Sequence, residues 1–237
     1  MVVNEHRVHA LIPAAGQSVR FGGTTVKQYT HLLGQPVMAH SIQAVLKHPA
    51  VTRMTVALAP DDGIYDELIR PAFPEVMTVV GGQSRAETVM NGLRHIMEVD
   101  PDCEWVLVHD AVRPCLSNAS LSELMELGLA SMGGALLAVP VNDTLKIADE
   151  HGYVEETADR SRYWSAQTPQ LFRIHQLADN LESALSQGDH PTDESSAMEA
   201  AGARPLLVPG ASTNIKITGP EDMALAEFIL QRQFVSE

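Results

Sequence analysis

The chain has 237 residues, 45% of them hydrophobic, and carries 30 acidic against 16 basic residues for a formal net charge of −14. That balance disfavours non-specific binding to nucleic acid or anionic membranes, so any anionic ligand must be met by a local cluster among the few cations. Cys103 and Cys115 form no C-x-x-C pair and read as reduced thiols, the Met1–Arg7 segment has no signal-peptide pattern, and no apolar run approaches the ~20 residues of a membrane span; together these predict a cytoplasmic protein.

In chain order, the apolar run Val8–Pro13 predicts a buried strand ending in the small-residue loop Ala14-Ala15-Gly16. Gln35–Lys47 has helical spacing. Thr52–Ala59 and Met77–Val80 read as strands, closed by Pro60-Asp61-Asp62-Gly63 and by Gly81-Gly82. Arg85–Met97 is an amphipathic helix, Trp105–Val108 a strand that delivers His109-Asp110, Leu121–Met132 a helix and Ala135–Val139 a strand. Strands alternating with helices imply parallel pairing, with ligands bound beyond the carboxyl ends of the strands.

After Val139 the pattern changes. Thr144–Ile147 and Tyr153–Glu155 flank the polar turn Asp149-Glu150-His151-Gly152 and predict a projecting hairpin within residues 141–164. A lone hairpin is marginal in water, so this arm is expected to pack on a second copy of the chain. Helices at Ile174–Leu185 and Glu194–Ala201, strands at Leu206–Val208 and Ile215–Ile217, and a last helix opened by a capping box in Thr218-Gly219-Pro220-Glu221 follow. With no repeat and no linker, residues 1–237 read as a single α/β domain with a protruding β-arm.

The opening loop runs from Pro13-Ala14-Ala15-Gly16 through Arg20 to Lys27-Gln28-Tyr29. Small side chains let backbone N–H groups approach a phosphate or base, and two cations stand ready to neutralise it. The loop is neither G-x-x-x-x-G-K-[ST] nor the G-x-G-x-x-G of dinucleotide-binding oxidoreductases. His109-Asp110 has no accompanying histidines at ligand spacing, which argues against a metal phosphohydrolase. Taken alone, Gly81-Gly82 could simply end a strand, Arg85 and Arg160 could be solvated, Thr168 could form a turn before Pro169, and Thr192 could cap a helix. Lys216 is unusual in an apolar stretch.

Together with Gly81-Gly82-Gln83-Ser84-Arg85, His109-Asp110-Ala111-Val112-Arg113-Pro114, Val141–Lys146, Thr168-Pro169-Gln170, Thr192–Ala197 and Asn214–Thr218, the loop resembles the sugar-phosphate nucleotidyltransferases, and among them the 2-C-methyl-D-erythritol 4-phosphate cytidylyltransferase family. The resemblance implies a three-layer, Rossmann-like nucleotidyltransferase fold with a mostly parallel sheet. It also implies transfer of a cytidylyl group from CTP to 2-C-methyl-D-erythritol 4-phosphate, with Mg²⁺ as cofactor and a homodimer as the working form.

By the same resemblance, Arg20 and Lys27 are the catalytic cations. Ala14, Ala15, Gly16, Gly81, Gly82, Arg85, Thr88, Asp110 and Lys216 bind CTP. Asp110, Arg113, Thr144, Arg160, Thr168, Thr192 and Lys216 form the acceptor side, Arg160 reaching across to the neighbouring subunit, and Asp110 is the one candidate metal ligand beside the phosphates. The related ribitol 5-phosphate cytidylyltransferases and a non-catalytic nucleotide-binding module are the competing readings. The first is separated by acceptor preference, the second by Mg²⁺-dependent release of pyrophosphate.

Overall fold

The computed structural model of the protein describes residues 7–16 and 26–236. The opening run forms β1 (Val8–Pro13), buried from Val8 to Ile12 as a central parallel strand must be. A small hairpin, β2 (His31–Leu32) and β3 (Gln35–Pro36), precedes α1 (Val37–Leu46), so that helix starts after Pro36 rather than at Gln35. Next come β4 (Val51–Leu58), the single turn α2 (Tyr65–Leu68), β5 (Met77–Val80), α3 (Arg85–Val99), β6 (Trp105–Val108), α4 (Asn118–Leu129) and β7 (Ala135–Pro140). The hairpin is present as β8 (Lys146–Ala148) and β9 (Val154–Thr157), exposed at every residue of both strands. After it come β10 (Trp164–Arg173), α5 (Ile174–Ser186), α6 (Glu194–Ala200), β11 (Leu206–Pro209) and α7 (Pro220–Ser236).

Seven strands form one sheet in the order β11-β7-β10-β6-β1-β4-β5. Pairs β1–β4, β1–β6, β4–β5 and β7–β11 are parallel. The mostly parallel expectation therefore holds, with one strand unforeseen: β10 is antiparallel to both β6 and β7 and sits between them. Side chains of β1 alternate between two cores, as period-2 geometry requires. Ala10 and Ile12 face a cluster with Met38, Ile42, Tyr65, Leu121 and Leu124, and Leu11 faces the other with Val89, Leu93, Phe172, Leu177 and Met198. Helices α1, α2 and α4 thus cover one face and α3, α5 and α6 the other, giving three layers. Helix α3 lies so close to β1 that a Cβ on Gly92 would stand 2.4 Å from Leu11.

Two expectations need correction. Ile215–Ile217 is not a strand; it pairs with no ladder and is tied by the Ile217 N–H to the Val112 carbonyl at 2.9 Å. Its alternation is nonetheless meaningful: Ile215 and Ile217 pack against Ala226 and Ile229 of α7, while Lys216 turns the other way. At the start of α7 the carboxylate that reaches back belongs to Asp222, not Glu221, and it accepts from the N–H of Thr218 (2.7 Å) and of Gly219 (3.0 Å) and from the Thr218 hydroxyl (2.8 Å).

Helix α3 opens with a complete capping box: Ser84 Oγ accepts from the Glu87 N–H at 3.1 Å, and Glu87 Oε2 accepts from the Ser84 N–H at 3.1 Å. Ser84→Ala is expected to cost about 1 kcal/mol. Urea unfolding checks this as a lowered midpoint with an unchanged slope.

Candidate functional site

A cleft opens beyond the carboxyl ends of β1, β5 and β6, lined by Ala14, Ala15, Gly16, Lys27, Gly82, Arg85, Thr88, Asp110 and Lys216. Its floor comes from the first loop, fixed from below. Gln28 is buried and donates to the Ala14 carbonyl at 3.0 Å, and the Tyr29 hydroxyl donates to Asp62 at 2.6 Å. These contacts set Lys27 at the head of a 3-10 turn, Lys27–Tyr29, on the rim of the cleft. Arg20 lies outside the described residues, which resume at Val26.

The glycine turn after β5 packs directly on this floor. A Cβ on Gly81 would stand 2.6 Å from Ala15 Cβ and 2.9 Å from Thr88 Cγ2. Gly81→Ala must therefore push the turn away from the loop. We expect the KM for the substrate that this cleft holds to rise at least tenfold, the scale of about 1.4 kcal/mol, while urea stability changes little; steady-state kinetics against substrate concentration decide it. Thr88 is buried and its hydroxyl is committed to the turn, accepting from the Gly82 N–H at 3.1 Å and donating to the Ser84 carbonyl at 2.8 Å. It shapes the wall of the cleft, with no hydrogen left to donate elsewhere.

At the end of β6 stands Asp110, only 5% exposed, gripped by three cations. Arg85 reaches Oδ1 at 2.8 Å, while Lys216 and Arg113 reach Oδ2 at 3.0 and 3.3 Å. Burial alone would raise the carboxyl's pKa, but Arg85, Lys216 and Arg113 outweigh it and hold it well below the usual carboxylate range. Arg85 also binds Glu194 at 3.0 Å, a carboxylate at the head of α6 that is 2% exposed. Burial lifts the Glu194 pKa, and Arg85 offsets part of that rise. The cluster therefore sets three cations, Arg85, Arg113 and Lys216, against two carboxyls, Asp110 and Glu194, a balance that favours an incoming anion.

Behind Asp110 lies a relay of buried polar groups. The Asp110 N–H donates to Thr168 Oγ1 at 3.0 Å, and that hydroxyl donates to His109 Nδ1 at 3.1 Å. His109 Nε2 faces the Arg113 carbonyl at 3.1 Å, which fixes the tautomer with the proton on Nε2. Burial pushes the His109 pKa down to about 4, so the ring is neutral at physiological pH. With both nitrogens engaged, it is a structural strut rather than a metal ligand. Arg113 in turn donates to the Asn214 carbonyl at 2.7 Å, and the Asn214 amide donates to the Thr168 carbonyl at 2.9 Å, closing the ring.

Of the sequence-derived residues, the fold brings together Ala14, Ala15, Gly16, Lys27, Gly81, Gly82, Arg85, Thr88, Asp110, Arg113, Thr168 and Lys216. It does not bring in Thr144, Arg160 or Thr192, which are exposed and are not among the described residues lining the cleft. Arg160 sits in the 3-10 turn Arg160–Arg162 at the foot of the hairpin and donates to the Asn142 carbonyl. Sequence reasoning missed Gln28, Glu194 and Asn214. Glu194 looked like an ordinary first-turn acid of α6, and only burial distinguishes it. Asp110 offers little to a resident metal ion: both its oxygens are taken by cations, which also repel a further positive charge.

Residues 8–232 match the family described as 2-C-methyl-D-erythritol 4-phosphate cytidylyltransferase. A relative of that name from Vibrio vulnificus strain CMCP6 is 43% identical over 224 residues, covering 94% of this chain and 94% of the relative. One from Xanthomonas campestris pv. campestris strain 8004 is 47% identical over 223 residues, covering 94% of this chain and 84% of the relative. Among solved structures, a crystal structure of 4-diphosphocytidyl-2C-methyl-D-erythritol synthase superposes with a TM-score of 0.83 at 39% identity, covering 95% of this chain and 99% of the other.

Proposed function

This chain belongs to the 2-C-methyl-D-erythritol 4-phosphate cytidylyltransferase family, and on that premise we infer that its cleft joins CTP to 2-C-methyl-D-erythritol 4-phosphate. It is a nucleotidyltransferase of isoprenoid precursor biosynthesis. The observation that carries this reading is the buried Asp110 held among Arg85, Arg113 and Lys216, beside a floor of small residues.

In the reaction, an acceptor phosphate oxygen attacks the α-phosphorus of CTP. A new P–O bond forms, the bond to the β-phosphate bridging oxygen breaks, and pyrophosphate leaves. A phosphate monoester is already largely ionised near pH 7, its second pKa being about 6, so no strong base is needed. The protein's share is positioning and charge neutralisation. Ala14, Ala15, Gly16, Gly81 and Gly82 give the nucleotide a close backbone surface, and Lys27 with Arg20 meets the charge developing on the α-phosphate and the leaving group. Arg113 and Lys216 turn toward the acceptor phosphate, and Arg85 steadies Asp110 between them.

Mg²⁺ would be held mainly by the phosphate oxygens of CTP, the hard ligands it prefers, and would supply further neutralisation of phosphate charge. The cytoplasm, where CTP is made and used, is the matching compartment. Residues 1–237 act as one domain, and its hairpin covers a second copy of the chain. The support is the exposed apolar edge of the arm, with Tyr153 74%, Val154 63% and Tyr163 49% exposed. In such a homodimer Arg160, Thr144 and Thr192 complete the acceptor side, with Arg160 contributed across the interface. A fully active monomer by sedimentation at micromolar concentration would refute Arg160 acting in trans.

The decisive assay presents labelled CTP with 2-C-methyl-D-erythritol 4-phosphate and ribitol 5-phosphate side by side, following pyrophosphate release. We expect turnover with the first. Clear preference for ribitol 5-phosphate, or no Mg²⁺-dependent release with either, overturns the reading.

A further inference from the structure

At the opposite end of β1 from the cleft, three residues with metal-binding side chains meet beneath the surface. His9, Asp100 and Cys103 are 1%, 6% and 5% exposed, and one ligand atom from each lies within 4.8 Å of the others. This is the one such group of three or more among the described residues. His9 is placed by β1, Asp100 caps the carboxyl end of α3, and Cys103 lies in the turn between α3 and β6. We propose that His9 Nδ1, Asp100 Oδ2 and Cys103 Sγ form a binding site for a borderline-soft divalent cation of the Zn²⁺ class, with its fourth position left to solvent.

The geometry carries the proposal. His9 Nε2 is paired with Thr55 Oγ1 at 2.9 Å, which orients the ring as the outer partners of metal-bound histidines do. Nδ1 is buried and has no hydrogen-bond partner. It faces Asp100 Oδ2 at 3.5 Å, too far for a good hydrogen bond. Ligand bonds of roughly 2.0–2.3 Å give a tetrahedral edge of about 3.3–3.8 Å, and the His9–Asp100 separation already has that length. Cys103 Sγ, within 4.8 Å of both, needs to close by no more than about 1 Å to reach the same edge. Its thiol donates to the Trp105 carbonyl at 3.3 Å, and on binding it would ligate as thiolate, its proton passing to solvent.

Two guanidiniums stand over Asp100, Arg7 at 3.7 Å and Arg53 at 3.8 Å, their side chains 54% and 42% exposed. Both contacts are long, and Arg53 keeps another partner, the Val99 carbonyl at 3.0 Å, when it gives up Oδ2. They form a movable cover rather than a competing ligand. Five residue steps along and just past β1 separate His9 from Ala14, about 16 Å at 3.3 Å per step. An ion here therefore tethers α3 to β1 and takes no part in phosphate chemistry.

Cobalt tests this directly, because a thiolate bound to Co²⁺ gives a near-ultraviolet charge-transfer band that phosphate or carboxylate ligation cannot. Full-length, tag-free protein titrated with Co²⁺ under reducing conditions should develop that band to one equivalent, and Zn²⁺ should bleach it. Cys115→Ser should behave as wild type, Cys103→Ser should lose the band, and His9→Gln should bind at least tenfold more weakly. Cys103→Ser is close to isosteric, and circular dichroism verifies its fold, so the test stands even if His9→Gln does not fold. Absence of the band in folded wild type, or its persistence in Cys103→Ser, overturns the proposal.

Discussion

Replacing Lys27 by alanine is expected to lower turnover by about 10²–10³-fold, the scale of losing one donor to charge that develops in the transition state. The turn that bears Lys27 is anchored through its neighbours, Gln28 to Ala14 and Tyr29 to Asp62. Truncation should therefore remove charge and leave the floor of the cleft in place. Turnover at saturating substrates, read beside near-ultraviolet circular dichroism, is the measurement. A normally folded variant with near wild-type turnover would remove Lys27 from the chemistry.

The second large effect is on stability. Asp110→Asn keeps the shape and the backbone N–H that donates to Thr168, but it strips the anion from among Arg85, Arg113 and Lys216. Removing one partner of a buried ion pair costs about 3–5 kcal/mol. The sign with pH follows from the folded state. Because the Asp110 pKa is depressed, its contribution is fully present above the unfolded value of about 3.9 and fades as pH falls toward the folded one. Urea unfolding should show a constant gap between wild type and variant from about pH 5 to 8, shrinking below about pH 4. A gap under about 1 kcal/mol at neutral pH, or one that does not narrow in acid, contradicts the assignment.

Much of the fold could be read from patterning. Runs such as Val8–Pro13 and Met77–Val80 are bounded by turn residues, and the strands fall on those residues. The short β2, β3 and α2 escaped, and so did β10, because Pro169 argues against a central strand. Strand β10 survives there because its pairing with β7 lapses between Ala166 and Gln170, where the missing donor goes unneeded. Leu171-Phe172 was the remaining sign of it. Ile215–Ile217 failed in the opposite way, since alternation reports which side a residue faces but not whether a neighbouring strand exists to pair with it.

The site was legible where a charge or a glycine stood at a strand's end, as with Gly81 and Asp110. It was not legible where function depends on burial. Glu194 has the sequence context of a solvent-facing helix start, and Gln28 and Asn214 are polar residues whose partners lie 14 and 46 positions away. No local pattern encodes such pairs.

One strand joins the foot of the arm to the floor of the cleft. β10 begins at Trp164, and four residues later Thr168 receives the Asp110 amide proton, a span of about 13 Å of extended backbone. Extended chain resists stretching, so a hand laid on the arm is felt at that amide. Deuterium uptake at the Asp110 N–H should slow in step with whatever seizes the hairpin, making one backbone proton a remote gauge of the arm's engagement.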